Sequence, residues 1–185
     1  MDEKSKQLLA QTRQPLAASP GHIAREDYGY RRAGTRNLFV AVEPKGGRRV
    51  VEVTRRRTKP DFVGFVQSLV NGAYATARTI HVVLDNLNTH FRGSFEQVLG
   101  VEMARQFLAR TEFHYTPKHA SWLNMAEIEI GILDRQCLGR RIGSENHLKD
   151  KVRAWEQRRN KAGCRIEWTF TRQDADQKLT RHYIT

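Results

Sequence analysis

Cysteine is scarce in this 185-residue chain, which has only Cys137 and Cys164 and no CxxC pair. This scarcity argues against a zinc site and against a disulfide framework, and it fits a reducing compartment. Long apolar runs are lacking too, since no stretch approaches the length that crosses a membrane. The charged start, residues 1–6, does not have the pattern of a signal peptide. These absences predict a soluble cytoplasmic protein without a membrane partner.

Acidic residues are outnumbered, with 20 Asp and Glu against 32 Lys and Arg and a formal net charge of +12. An excess of this size favours a polyanionic partner, because each neutralised phosphate releases condensed counterions. The hydrophobic share of 39% and the charged share of 28% are typical of a folded domain. A ribosome-associated or merely basic protein would have the same charge, so composition indicates nucleic acid without naming a reaction.

Apolar patterning predicts an α/β domain with a mixed sheet. Prolines and glycines interrupt residues 1–35, which are predicted to be extended or loop. Two apolar segments around a Gly-Gly turn predict a hairpin, and the apolar run 79–85 predicts a strand buried on both faces. A capping box at Thr58 and Asp61 predicts the first helix. Further helices are predicted from residue 94, near residue 123, and after Ser144 and Thr171, with a short strand at 113–115.

The end of the predicted buried strand carries polar residues. Asp85 closes the run and is followed by Asn86, Asn88 and His90. A carboxylate in this position lies at the sheet edge where open α/β folds bind their ligands. Aspartate at a strand end is also a common turn residue, so this pattern alone leaves a site and a turn equally open.

A second informative segment, residues 114–127, leads from a short strand through a proline-containing loop into a helix. Asn124 and Glu127 lie three residues apart and therefore share a helix face. Glu127 has apolar neighbours, where a merely solvated glutamate is less expected. Glu129, two residues further on, points elsewhere.

Residues 85–90 and 115–127 resemble the second and third catalytic motifs of bacterial insertion-sequence DDE transposases of the mariner superfamily. Residues 1–5 resemble the first motif, and the segment from residue 166 resembles the family's C-terminal end. The resemblance implies a ribonuclease H-like mixed sheet flanked by helices, with a DDE catalytic domain at 1–160 and a helical extension packed on it at 161–185. It also implies an N-terminal truncation, with the first central strand largely missing and Asp2 on a fraying end.

Carried over residue by residue, the resemblance makes Asp2, Asp85 and Glu127 the catalytic, metal-binding triad for two divalent ions, Mg²⁺ or Mn²⁺. Hard cations take oxygen ligands, and a pair of them assists attack on a phosphodiester. The residues expected to support the ligands or to contact DNA are Asn86, Asn88, His90, His119 and Asn124. The expected phosphate contacts are Arg55, Arg56, Arg57, Lys59, Lys118, Arg135, Arg140 and Arg141.

The resemblance implies DNA as the partner, both transposon ends and a TA-containing target, and hence association with the nucleoid. A homodimer, or a complex with an upstream helix-turn-helix polypeptide, is a further expectation. Two other functions stay open: a catalytically inactive DNA-binding remnant, and a ribonuclease H-like nuclease acting on RNA–DNA hybrids. Mutation of Asp85 separates the first from an enzyme, and strand transfer separates the second from a transposase.

Overall fold

The computed structural model describes residues 1–118 and 120–183, with side chains described to residue 177. Strands and helices combine in a mixed α/β arrangement, which confirms the predicted fold class. In this described part of the chain, no helix is both long and apolar enough to cross a membrane.

The chain begins in a three-stranded antiparallel sheet with the order β1-β2-β3. Its strands are β1 (Asp2–Gln11), β2 (Tyr30–Glu43) and β3 (Arg48–Thr54). The predicted hairpin is therefore confirmed as β2 and β3. Residues 1–35 were predicted to be extended or loop, and their extended parts are β1 and the start of β2, whose pairing in a sheet was not predicted. Pairing along the long β2 strand recruits these polar residues, since tertiary pairing overrides weak strand propensity.

The start of β1 is held on both sides rather than frayed. Asp2 pairs with Val40 of β2, and the Met1 nitrogen donates a 2.6 Å hydrogen bond to the Val83 carbonyl. The Met1 side chain is only 6% exposed and belongs to an apolar core cluster. The expected fraying end is therefore corrected: β1 is a ten-residue strand, and its beginning is fixed by this packing.

A second sheet is parallel and consists of β4 (Ile80–Leu84) and β5 (Thr111–Tyr115), with residue 84 opposite residue 115. The predicted burial of β4 on both faces was wrong. Val82 is buried, but Val83 is 45% exposed, because the described residues cover only one face of this sheet. A groove of about 360 Å³ separates the parallel sheet from the end of β2.

The helices begin largely where local sequence signals place them. Helix α1 (Lys59–Ser68) starts at the predicted capping box, in which the Asp61 carboxylate accepts a 2.8 Å hydrogen bond from the Thr58 amide. The helix predicted from residue 94 is instead two helices, α2 (Arg92–Leu99) and α3 (Val101–Leu108). Gly100, at φ 80°, separates them, because this backbone conformation does not belong to a right-handed helix.

Three further helices follow: α4 (Ala126–Leu133), α5 (Glu145–Lys161) and α6 (Arg172–Tyr183). The Ser144 hydroxyl caps α5 by accepting a 3.2 Å hydrogen bond from the His147 amide. The proposed division into a domain at 1–160 and an extension at 161–185 stays a prediction.

The alternating side chains of β2 serve two apolar clusters on opposite faces of the antiparallel sheet. Phe39 packs with α1 residues, including Phe65, whose ring centroid is 5.4 Å away. Leu38 and Val40 belong to the second cluster, together with Trp155 of α5. Helices thus flank both faces of this sheet. Met1, directly before its first strand, belongs to one cluster, and Leu8 in that strand belongs to the other.

Candidate active site

Three carboxylates predicted from the sequence converge where the two sheets meet. Asp2 begins β1, Asp85 follows β4 directly, and Glu127 lies in the first turn of α4. Burial raises the pKa of Asp2 above its ordinary value, and the negative charges of Asp85 and Glu127 raise it further. Asp85 and Glu127 therefore lie close enough to Asp2 for their charges to raise its pKa, as is expected of carboxylates in one site.

The donor set fits hard divalent cations. All three groups offer oxygen ligands, which Mg²⁺ and Mn²⁺ prefer. The Asp85 side chain is 21% exposed and Glu127 is exposed, so ions can reach the cluster. Burial and then the charges of Asp85 and Glu127 raise the pKa of Asp2, and a bound cation would offset both effects.

His90 fixes one side of the cluster. Its ring is 0% exposed, with Nδ1 2.6 Å from Asp85 Oδ1 and Nε2 2.9 Å from Glu3 Oε1. Burial lowers the pKa of His90, but the hydrogen bonds and charges of the two carboxylates outweigh burial and raise it to about 9. Burial likewise raises the pKa of Asp85, but His90 outweighs it and the net shift is downward. His90 is therefore an imidazolium near neutral pH, donating to both acids and keeping Asp85 ionised.

Sequence reasoning missed Glu3 as an individual site residue. Its side chain is only 3% exposed, and Oε2 is buried without a hydrogen-bond partner among the described residues. Glu3 faces away from Asp2 along β1, so the two neighbouring acids have separate surroundings. The sequence did show an acid next to the aspartate of the first motif. Its burial could not be predicted, because its partner His90 lies 87 residues away.

Asn124 connects the start of β1 to the start of α4. Its side-chain amide donates a 2.7 Å hydrogen bond to the Met1 carbonyl, and its Oδ1 accepts a 3.2 Å bond from the Ala126 amide. Asn124 is 2% exposed, so it is placed to support the site rather than to contact DNA. Through these bonds it sets the position of Glu127 relative to Asp2.

A comparison with protein families agrees with this geometry. A family model described as DDE superfamily endonuclease matches residues 1–149. The chain is a member of the DDE superfamily endonucleases. Enzymes of this family cleave DNA with divalent metals, which is the chemistry that converging carboxylates support. The comparisons with curated proteins and with solved structures found no match.

The loops of the endonuclease domain that follow β4 and β5 are tied together. The Asn86 side chain donates a 2.6 Å hydrogen bond to the Thr116 carbonyl. Asn88 is exposed and lines a groove of about 290 Å³ with Glu3 and Arg57. Asn86 thus supports the loop, whereas Asn88 is accessible to a ligand. His119, also predicted here, lies outside the described residues.

The predicted phosphate contacts near β3 and α1 have different surroundings. Arg57 faces the groove beside Glu3, and Arg56 is exposed. The Arg55 guanidinium lies 3.5 Å from the Glu145 carboxylate, and the Lys59 ammonium donates a 2.7 Å hydrogen bond to Gln97. Arg57 is therefore the member of this group that lines the groove beside Glu3.

The remaining predicted contacts lie elsewhere in the endonuclease domain. Lys118 is exposed, and Arg135 and Arg140 line a separate groove beside α5 together with Arg158. Arg141 donates to the backbone carbonyls of residues 27, 28 and 29 at 2.5, 2.9 and 3.1 Å. The structure gives Arg141 a tethering role, and its contact with phosphate stays a prediction.

Glu129 also has a role that the sequence did not reveal. It points away from the triad, as predicted, into a fully buried ion pair with Arg49, at 2.6 Å from Oε1 and 3.1 Å from Oε2. Arg159 adds contacts of 3.1 and 3.2 Å. Glu127 and Glu129 therefore lie on one helix in different surroundings, the first exposed beside the candidate site and the second buried in the core.

Proposed function

We propose that this endonuclease domain is the catalytic portion of a bacterial insertion-sequence transposase of the mariner superfamily. It cleaves DNA strands at transposon ends and transfers them to a target, with TA dinucleotides as the expected target sites. The convergence of Asp2, Asp85 and Glu127 in a DDE family member is the observation that carries this proposal.

The three carboxylates would together hold two divalent ions, Mg²⁺ or Mn²⁺. Such ions, when bound, activate an oxygen nucleophile and stabilise the charge on the leaving oxygen of a phosphodiester. Asp2 begins β1, Asp85 follows β4 and Glu127 lies on α4, which supports a shared set of ligands. Asp85 is held ionised by His90, which keeps it ready to act as a ligand.

His90 and Asn124 act as positioning residues in this proposal. His90 orients the Asp85 carboxylate through Nδ1, while Glu3 fixes the far side of the ring. Asn124 holds the first turn of α4 against β1. Residues that orient metal ligands commonly change metal affinity or activity 10–100-fold when they are mutated, on the order of 1–3 kcal/mol.

Positive charge near the site supports a DNA substrate. Arg57 and Asn88 line the groove beside Glu3, and Arg56 next to it is exposed. The net charge of +12 adds long-range attraction for the backbone of DNA. We therefore expect the duplex to approach along this groove, with the scissile phosphate at the carboxylates.

Nicking of supercoiled plasmid by the purified chain, with Mg²⁺ or Mn²⁺, tests the cleavage step. Asp85→Asn and Glu127→Gln should each reduce nicking to background while retaining DNA binding. Glu102→Gln is the matched control, because Glu102 is an exposed acid on α3. Cleavage that survives in both site variants would overturn the proposal. Binding without cleavage by the unaltered chain would favour the inactive DNA-binding alternative.

Strand transfer distinguishes a transposase from a hybrid nuclease. A labelled DNA with a free 3′-hydroxyl is incubated with a TA-containing plasmid, and joined products are sequenced. Insertion at TA sites that requires Asp85 supports the proposal. Metal-dependent cleavage of an RNA–DNA hybrid, without joining of DNA, would favour the ribonuclease H-like alternative.

A further inference from the structure

The exposed face of the parallel sheet carries three potential metal ligands. His81 lies on β4, directly opposite Glu112 of β5, and His114 is two residues further along β5. His81 Nδ1 is 2.9 Å from His114 Nε2 and 3.3 Å from Glu112 Oε2. One ligand atom from each residue falls within a cluster 4.8 Å across. Strand pairing thus brings together residues up to 33 positions apart.

The chemistry of this donor set differs from that of the carboxylate triad. Two imidazole nitrogens and one carboxylate oxygen suit a borderline first-row transition metal rather than Mg²⁺. Two histidines and a glutamate are an established ligand set for Zn²⁺, with water completing the coordination. The three side chains are 59%, 60% and 51% exposed for His81, Glu112 and His114, so they are accessible and free to rotate around an ion.

We propose that His81, Glu112 and His114 form a Zn²⁺ site on the open face of the parallel sheet. The site is separate from the triad, because His81 and Asp85 are four residues apart along an extended segment, about 13 Å. From the sequence, the low cysteine count argued against a zinc site. The site proposed here instead uses histidines, which the pairing of β4 with β5 brings together.

A Zn²⁺ ion in this position connects β4 to β5 beyond their backbone hydrogen bonds. Because Asp85 follows β4, the bound ion stiffens the sheet edge that carries the catalytic aspartate. The ligands face away from the buried side of β4 that includes Val82, so the ion connects the two strands at the surface of the sheet. Binding to the folded state alone raises the free energy of unfolding in proportion to the logarithm of the zinc concentration.

Isothermal titration of untagged chain with Zn²⁺ at about pH 8 tests the site, since protons compete with a metal ion for its ligands at lower pH. Excess Mg²⁺ is present to occupy the carboxylate triad. The unaltered chain should bind one Zn²⁺, and His81→Ala and His114→Ala should each weaken binding at least about tenfold. Glu112→Gln, which keeps the side-chain shape, should also weaken binding. The matched control is His147→Ala, which removes an exposed histidine on α5.

The visible spectrum of the Co²⁺-substituted chain provides a second measurement. Histidine coordination gives a d–d band that should be lost in His81→Ala and His114→Ala and retained in Asp85→Asn. Absence of zinc binding by the unaltered chain would overturn the proposal, as would equal weakening in His147→Ala. Loss of the band in Asp85→Asn would overturn it too, because the ion would then lie at the triad. None of these results depends on DNA cleavage.

Discussion

Two buried ionic clusters in the described part of the chain have opposite composition. In one, the His90 cation lies between the carboxylates of Asp85 and Glu3. In the other, the Glu129 anion lies between the guanidinium groups of Arg49 and Arg159. Both use a central ion held by two partners of opposite charge, and both connect elements distant in sequence.

The clusters differ in how completely their polar groups are satisfied. Beyond Glu129, the Arg49 guanidinium donates to the carbonyls of Gly47 at 2.6 Å and Cys164 at 2.5 Å. The histidine cluster instead leaves Glu3 Oε2 unpartnered among the described residues and adjoins the further negative charges at the triad. Removal of one partner from a closed buried network is strongly destabilising, whereas an incomplete cluster with excess charge is typical of a functional site.

Replacement of Glu129 by Gln should have the largest effect on stability. It leaves the buried Arg49 charge uncompensated, which costs about 3–5 kcal/mol. Glu127→Gln, two residues away on the same helix, should leave the free energy of unfolding nearly unchanged and abolish cleavage. Denaturant unfolding of both variants, with circular dichroism as the signal, measures the difference.

The same two variants can also contradict the conclusion that the arginine cluster serves stability and the carboxylate cluster serves function. If Glu129→Gln unfolds at the same denaturant concentration as the unaltered chain, the arginine cluster does not stabilise the fold. If Glu127→Gln is the less stable variant, the carboxylate cluster has a structural role instead. The exposed substitution Glu102→Gln controls for the loss of a negative charge.

The histidine cluster should make stability depend on pH in the metal-free protein. The pKa of His90 is raised from 6.5 to about 9 in the folded state. The stabilisation that protonated His90 gives to the folded chain is therefore present in full below pH 6.5. It is lost as the pH rises through about 9. The upper limit of this contribution is about 3 kcal/mol, at 1.36 kcal/mol for each unit of pKa.

Unfolding of the unaltered chain and of His90→Gln in chelator, at a series of pH values, measures this contribution. The difference in unfolding free energy should narrow as the pH rises from 6.5 towards 9. Asp85, which faces the ring and whose pKa lies below its ordinary value despite its burial, stays ionised in this range. A difference that is constant across the range would show that His90 contributes packing alone, for instance against Phe62.

Local patterns in the sequence predict where two of the candidate site residues lie in the fold. Asp85 follows an apolar strand and Glu127 begins a helix, so each position is visible within a few residues. The capping box of α1 and the hairpin of β2 and β3 are local in the same sense. Their success follows from turn and capping chemistry, which acts over three or four residues.

The sequence did not predict the strand pairing and the burial of acids that depend on partners distant along the chain. β1 forms because β2 pairs with it, although its own residues are polar. Glu3 is buried by His90, 87 residues away, and Glu129 by Arg49, 80 residues away. No local pattern distinguishes such acids from solvated ones, because burial and pairing are properties of the packed structure.

Divalent ions should stabilise the carboxylate cluster specifically. Mg²⁺ or Mn²⁺ at about 100-fold above its Kd should add about 2.7 kcal/mol to the free energy of unfolding. Glu127→Gln should lose most of this gain, whereas Glu102→Gln should retain it. Thermal unfolding with and without the ion measures the effect, and an equal gain in both variants would place the ion elsewhere.

Asp2→Asn should give the smallest change in the free energy of unfolding, and the sign of this change is informative. Burial and the charges of Asp85 and Glu127 raise the pKa of Asp2, so its ionised form destabilises the folded chain at neutral pH. The neutral amide removes this repulsion, and its oxygen can still accept the 2.7 Å bond from the Glu3 amide. We expect a gain of about 0.5–2 kcal/mol without metal, a typical range for a stabilising substitution, together with loss of cleavage.

The gain should disappear in saturating Mg²⁺, because the unaltered site is then neutralised and the variant site is not. A loss of stability without metal would mean that the favourable contacts of Asp2 outweigh its repulsion, and the triad would then resemble the arginine cluster in being stable on its own.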